Sequence, residues 1–347
     1  MRVILHIGSN KTGTTALQKT FSKNYDALYG AGILYPVAGR GSSIRQIGLR
    51  AALTPPDIAL SGYASRVGAG IGREEYAKTF IEEFDRELSE FSGDTVILSD
   101  ESLFIYAASQ PFHAISQFLR ERFSKLTVVC YLRRPDEYLQ SEYSQHIKVG
   151  GRQTVRKRIT QMTSDALYEE KLYLARDHLD DRPVIRCYDK ARFKNGNIID
   201  DFADAAGIVF PDLETPGMKN RSLSNDGIRI LRTLNRQYGR DRPEILRRLT
   251  EKFLCDGPRF HLKLGARKRI FESVKDEHQR ILDAFFEGDE SSLYRIEDML
   301  EPRQVAATDP NLHKRVTNLI IALHDQMSEE SFRGMLMKED LSKSDHP

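Results

Sequence analysis

The octet Gly8-Ser9-Asn10-Lys11-Thr12-Gly13-Thr14-Thr15 follows the apolar run RVILHI and precedes a stretch in which Leu17, Phe21, Tyr25 and Leu28 recur at helical spacing. A strand, a glycine-rich turn and a helix in that order make a cradle for an anion, because backbone N–H groups and the helix N-terminus point at negative charge. The frame is close to the GxxxxGK-Ser/Thr loop of nucleoside triphosphate sites. It departs at the decisive place: Thr14 stands where that pattern has its lysine, and the lysine sits at Lys11 inside the loop. The displacement argues against ATP and puts an ammonium group at the crown of the loop. There it is placed to stabilise charge on a leaving oxygen.

Three further constellations can serve such a site. After the strand-like LTVVCYL come Arg133-Arg134-Pro135 and, eight positions beyond Arg133, Ser141. Arg133 offers a rigid fork of donors to a second phosphate, Ser141 offers a hydroxyl from the following helix, and Pro135 suits that helix's first turn. Arg134 reads as a surface ion pair. TVILSDESLF puts Ser99, Asp100 and Glu101 at the C-terminal end of a buried strand, the edge where open α/β sheets bind ligands, so an acid there can take a proton from an attacking hydroxyl. Both acids can instead cap the next helix. VIRCYDK sets Tyr188 at another strand end, and NRSLS supplies Arg221 with Ser222 or Ser224 as a helix cap. His6 and His113 are the histidines considered as bases.

HIGSNKTGTTALQ resembles the 5′-phosphosulfate loop of sulfotransferases that use 3′-phosphoadenosine 5′-phosphosulfate (PAPS), the bacterial carbohydrate type in particular, and Arg133 with Ser141 resembles that family's 3′-phosphate motif, RxPxxxxxS. The resemblance covers residues 1–36, 94–150 and 180–238. It implies that Lys11 is the catalytic lysine and that Ser9, Asn10, Lys11, Thr12, Gly13, Thr14 and Thr15 surround the 5′-phosphosulfate. It further implies that Arg133 and Ser141 hold the 3′-phosphate, that Tyr188 lies near the nucleotide, and that Arg221 closes over the 3′-phosphate or the adenine. Glu101 matches the family's base, with Asp100 as the alternative. The implied reaction transfers a sulfuryl group to a hydroxyl of a carbohydrate or glycolipid, requires no metal and releases adenosine 3′,5′-bisphosphate. The rival readings are a P-loop kinase or hydrolase and a non-catalytic nucleotide-binding protein.

Strands alternating with helices imply parallel βαβ units, hence an α/β fold with a P-loop-type doubly wound parallel sheet flanked by helices and a helical C-terminal extension. Helices are predicted at 13–28, 74–91, 111–123, from Asp136, at 164–178 and from Asn197. Strands are predicted at 2–7, 33–36, 95–98, 126–132 and 184–188. Residues 1–238 form the donor-binding core in this reading, 37–73 a long acceptor-side loop and 239–347 a helical part without strands. The charge of +2, from 52 basic and 50 acidic residues, is too balanced for a nucleic-acid protein. No run of eighteen apolar residues occurs, so no integral membrane segment is expected and a cytoplasmic location is. Cys130, Cys187 and Cys255 read as structural thiols, and Arg152, Arg156, Lys157, Arg158 and Arg267-Lys268-Arg269 as solvated basic faces. HExxH, paired CxxC and GxSxG are absent, and Gly68 to Gly72 reads as a flexible loop.

Overall fold

RVILHI is apolar at nearly every position because it forms the middle of a sheet covered on both faces. The computed structural model describes residues 1–40, 44, 46–55, 72–162, 166–215, 222–238, 252, 254–255, 258–286, 293–294 and 311–326. Five strands, β1 (Arg2–Gly8), β2 (Ile33–Leu34), β3 (Thr95–Ser99), β4 (Lys125–Leu132) and β5 (Val184–Cys187), lie in the order β2-β3-β1-β4-β5. Every pairing is parallel. The chain therefore starts at the centre, goes to one edge for β2, returns inward for β3 beside β1, and then crosses to the other side for β4 and β5. The reversal makes the C-terminal end of β1 the switch point where doubly wound sheets take ligands.

The chain divides into two compact units that interleave in sequence. The first comprises Met1–Arg134, Leu167–Met218 and Val274–Tyr294, and the second Pro135–Ala166, Lys219–Ser273 and Arg295–Pro347. The first contains the sheet. Ile4, Ile97, Val129 and Tyr131 of the strands pack with Leu17 and Phe21 of the helix Thr14–Lys23 and with Phe202 of the helix Ile198–Ala206. A separate aromatic group, Phe80, Phe84, Phe118 and Phe123, ties the helix Arg73–Glu90 to the helix Ser109–Arg120. The second unit is helical among its described residues apart from an isolated bridge, Ser224 to Arg259. Its cores gather Tyr143, Ile147, Leu231 and Leu254, and Tyr138, Leu139, Leu262 and Ile270.

Several elements depart from the sequence pattern: the strand predicted over 33–36 covers Ile33–Leu34, the helix predicted over 164–178 runs Glu169–His178, and Val155–Met162 forms a helix not expected. The helix predicted over 13–28 breaks into Thr14–Lys23 and Tyr25–Gly30. Asn24 causes this by turning its side chain to Thr20 O at 2.8 Å and to Glu214, whose carbonyl it bonds at 2.9 Å and whose N–H it accepts at 2.9 Å. Within the stretch expected to be loop from 37 to 73, residues Ile47–Leu53 are helical, and Gln46 N–H fixes their start by donating to Ser99 O at 3.1 Å. Residues 56–71, including Gly68 and Gly70, lie outside the described residues.

Two basic residues are also corrected. Arg134 is 7% exposed and so is not a surface ion pair. Arg267 belongs to no solvated face: its Nε donates to Asp136 at 2.7 Å with both side chains buried. Arg152, Arg156 and Lys157 are exposed, as read from the sequence. Of the two serines proposed as a cap, Ser224 serves the helix Asn225–Tyr238, its Oγ accepting Gly227 N–H at 3.0 Å. No helix among the described residues is long and apolar enough to cross a membrane.

Burial of two histidines has a measurable effect on stability. Desolvation lowers His6 to about 3 and His278 to about 4. Folding thus excludes protons that the unfolded chain binds below its ordinary histidine value, so stability present above pH 6.5 is lost as pH falls toward 4. Equilibrium denaturant unfolding between pH 7 and 5 should show a loss approaching about 1.4 kcal/mol per pH unit for each histidine. A flat profile contradicts it.

Candidate functional site

The sheet's central strand ends at Gly8, and the loop that follows is held from both sides. Gly8 has φ 103°, and a Cβ there would meet the Glu101 Cα and Cβ at 3.1 Å, so glycine permits the end of β1 to press against the segment leaving β3. On the other side, Ser9 N–H donates to Tyr131 O of β4 at 2.7 Å. Within the loop, Thr12 Oγ1 donates to Ser9 O at 2.5 Å, and Lys11 takes the left-handed conformation at φ 63°. A left-handed lysine is uncommon, and here it forms the crown of the turn.

The helix Thr14–Lys23 then opens with its N-terminus at the loop. Gly13, at φ 79°, is its cap residue, and its carbonyl receives the N–H groups of Ala16 at 2.8 Å and Leu17 at 3.2 Å. The Thr14 and Thr15 amides precede the first of these bonds, and no acid occupies the first turn. Ser9 Oγ and Thr14 Oγ1 are buried without a hydrogen-bond partner. Buried hydroxyls left unmatched are costly unless a ligand uses them. Two such oxygens at a loop with helix N-terminal amides and a lysine suit an oxyanion.

Arg133, the first residue beyond β4, reaches this loop directly. Its Nη1 donates to the Lys11 carbonyl at 2.7 Å, and its guanidinium lies 5.4 Å from the Tyr188 ring centroid. Tyr168 Oη donates to the Arg133 carbonyl at 3.1 Å. Tyr188 N–H donates to Leu132 O at 2.7 Å, and the tyrosine ring stands where a Cβ on Gly13 would come within 2.9 Å. Lys11, Gly13, Arg133 and Tyr188 are thereby brought together at the C-terminal ends of β1, β4 and β5. Ser141 lies on the helix Pro135–Lys148 in the second unit, and Arg221 lies outside the described residues.

The acids after β3 have separate environments. Asp100 is 1% exposed, accepts Ser102 N–H at 2.9 Å and faces Arg50 Nε at 3.4 Å, with Arg50 also buried. It is the capping acid. Glu101 is half-buried and makes no side-chain cap. Its Oε2 accepts from Gln18 Nε2 at 3.4 Å. Gln18 is a residue that the sequence reading missed, since only its place five residues into the helix after the loop marked it. His6 is buried and neutral, with Nδ1 2.8 Å from Ser99 Oγ, and His113 is exposed on the helix Ser109–Arg120. Chemically, the arrangement pairs an anion cradle that carries one ammonium and one guanidinium with a carboxylate next to it.

No protein-family model matches the chain. An uncharacterized protein of Archaeoglobus fulgidus is 29% identical over 205 residues, which are 54% of this chain and 55% of that protein. The chain thus spans about half the length of the curated relative it matches. Among solved structures, a sulfotransferase from Alicyclobacillus acidocaldarius aligns with 62% of this chain and 86% of its own at 15% identity and a TM-score of 0.38. That likeness is too slight to argue from.

Proposed function

We propose that the protein is a sulfotransferase that moves a sulfuryl group from PAPS to a hydroxyl of a carbohydrate or glycolipid. The observation that carries this reading is the hydrogen bond from Arg133 to the crown carbonyl of Lys11, which joins two sequence motifs 122 residues apart into one polycationic site. A donor with phosphates at both its 3′ and 5′ positions matches that pairing better than ATP does, because ATP has no 3′-phosphate. PAPS supplies a sulfuryl group linked through oxygen to its 5′-phosphate.

In this reading the loop amides and the Ser9 and Thr14 hydroxyls bind the 5′-phosphosulfate, and Arg133 binds the 3′-phosphate. Tyr188 borders the nucleotide. The acceptor hydroxyl gives its proton to the Glu101 carboxylate as its oxygen bonds to sulfur. The sulfur–oxygen bond to the 5′-phosphate breaks, and its electron pair stays on the phosphate oxygen, where the Lys11 ammonium offsets the added charge. Asp100, committed to Arg50 and to the Ser102 amide, takes no part in proton transfer.

Thermal melting of the full chain tests the donor class. Adenosine 3′,5′-bisphosphate should raise the melting temperature more than ATP with magnesium at equal concentration. A larger shift with ATP and magnesium overturns the assignment.

A further inference from the structure

We infer that Gln18 is a positioning residue that holds the Glu101 carboxylate toward the loop, an inference that rests on the reading of Glu101 as the base. Gln18 is fully buried in the helix Thr14–Lys23. Its Nε2 lies 3.0 Å from Ser99 O, 3.2 Å from Ser99 Oγ and 3.4 Å from Glu101 Oε2. The carbonyl and the carboxylate can only accept, so the amide must present its NH2 to both, and this fixes which way the side chain faces. Ser99 Oγ is pinned in turn, 2.8 Å from His6 Nδ1 on β1. The carboxamide therefore cannot swing away without breaking its own anchors on β3.

The position of Gln18 on its helix gives the contact its meaning. It is four residues after Thr14, so the two share one face, and Thr14 offers a buried, unpartnered hydroxyl at the loop. One short helix thus presents its N-terminus to the anion and, one turn further on, its only buried carboxamide to the acid. Lys11 and Glu101 act on opposite ends of the same displacement. Their separation is set through this helix and through the contact of Gly8 with Glu101 rather than by a flexible loop.

Among the described residues, Asp100, Tyr35 and His6 are titratable groups near Glu101. Asp100, its chain neighbour, is held by Arg50. Tyr35 is raised chiefly by burial and further by Asp100 and Glu101, with Arg40 opposing. His6 is neutral and three hydrogen bonds away, through Ser99 Oγ and Gln18 Nε2. Gln18 is one donor to Glu101. Donation to a carboxylate favours its charged form, so removing the donor raises the pH at which the acid titrates.

The test uses the full chain labelled with carboxyl-13C glutamate, with the Glu101 resonance identified by its absence in Glu101→Gln. In Gln18→Met, which conserves volume, and in Gln18→Asn, whose amide falls one methylene short, the Glu101 acid constant should drop about three- to tenfold. Both variants should still be stabilised by adenosine 3′,5′-bisphosphate, since the loop is unchanged. A lowered melting temperature with Glu101 titrating where it does in the parent chain means a purely structural Gln18 and overturns the inference. If the parent chain itself ignores adenosine 3′,5′-bisphosphate, the sulfotransferase reading falls, while the titration still decides whether Gln18 governs the carboxylate.

Discussion

Lys11→Ala should lower sulfuryl transfer by about a hundred- to a thousandfold, the usual loss when one preorganised donor to a developing negative charge is removed. The scaffold should survive, because what Arg133 grasps is the main-chain carbonyl of residue 11 and not its side chain. Affinity for adenosine 3′,5′-bisphosphate, measured by calorimetry, should therefore stay within about tenfold, a difference of about 1.4 kcal/mol. Mass spectrometry of sulfated metabolites from cells carrying either chain reports the transfer itself. Undiminished sulfation with Lys11→Ala would remove the lysine from the chemistry. A collapse of nucleotide affinity would make it a binding residue instead.

The second large effect separates the two neighbouring acids. Glu101→Gln should reduce transfer by about a hundred- to ten-thousandfold, the range for a general base, and leave denaturant unfolding unchanged. Asp100→Ala should do its damage to the fold. It leaves the buried Arg50 guanidinium without its partner and removes the acceptor of the Ser102 amide, a class of change that costs about 3–5 kcal/mol. Urea unfolding of the two variants side by side checks the assignment. A destabilised Glu101→Gln with a stable, inactive Asp100→Ala would exchange their roles.

The parts of this molecule legible in its sequence are those whose cause is local. RVILHI reads as a central strand because both faces are covered, and the turn after it is legible because Gly8 and Gly13 adopt backbone conformations at φ 103° and 79° that favour glycine. The hidden parts depend on partners far along the chain. Asn24 stops a helix whose apolar stripe runs on to Leu28, since its side chain is taken by Glu214, 190 residues away. Ile47–Leu53 is helical in a stretch rich in glycine and serine, and its Arg50 is placed by Asp100 rather than by its neighbours. Arg267 looked like one of a basic triplet, and only the fold brings Asp136 to it. Gln18 closes the HIGSNKTGTTALQ segment, but its contact with an acid 83 residues downstream cannot be read from a helical glutamine. The displaced lysine, the arginine and the choice between two adjacent acids were all visible as residue types. Which acid was committed elsewhere was not.

The order of strands also bears on how this half of the molecule ages and breaks. β3, β1 and β4 are consecutive rungs of one hydrogen-bonded ladder, and Glu101, Lys11 and Arg133 lie two, three and one residues past their respective ends. Spacing between them is inherited from the sheet's own repeat of roughly 4.8 Å per strand. Among the described residues, the placement of these three therefore depends on the register of one parallel ladder, and a change in that register would displace all of them together.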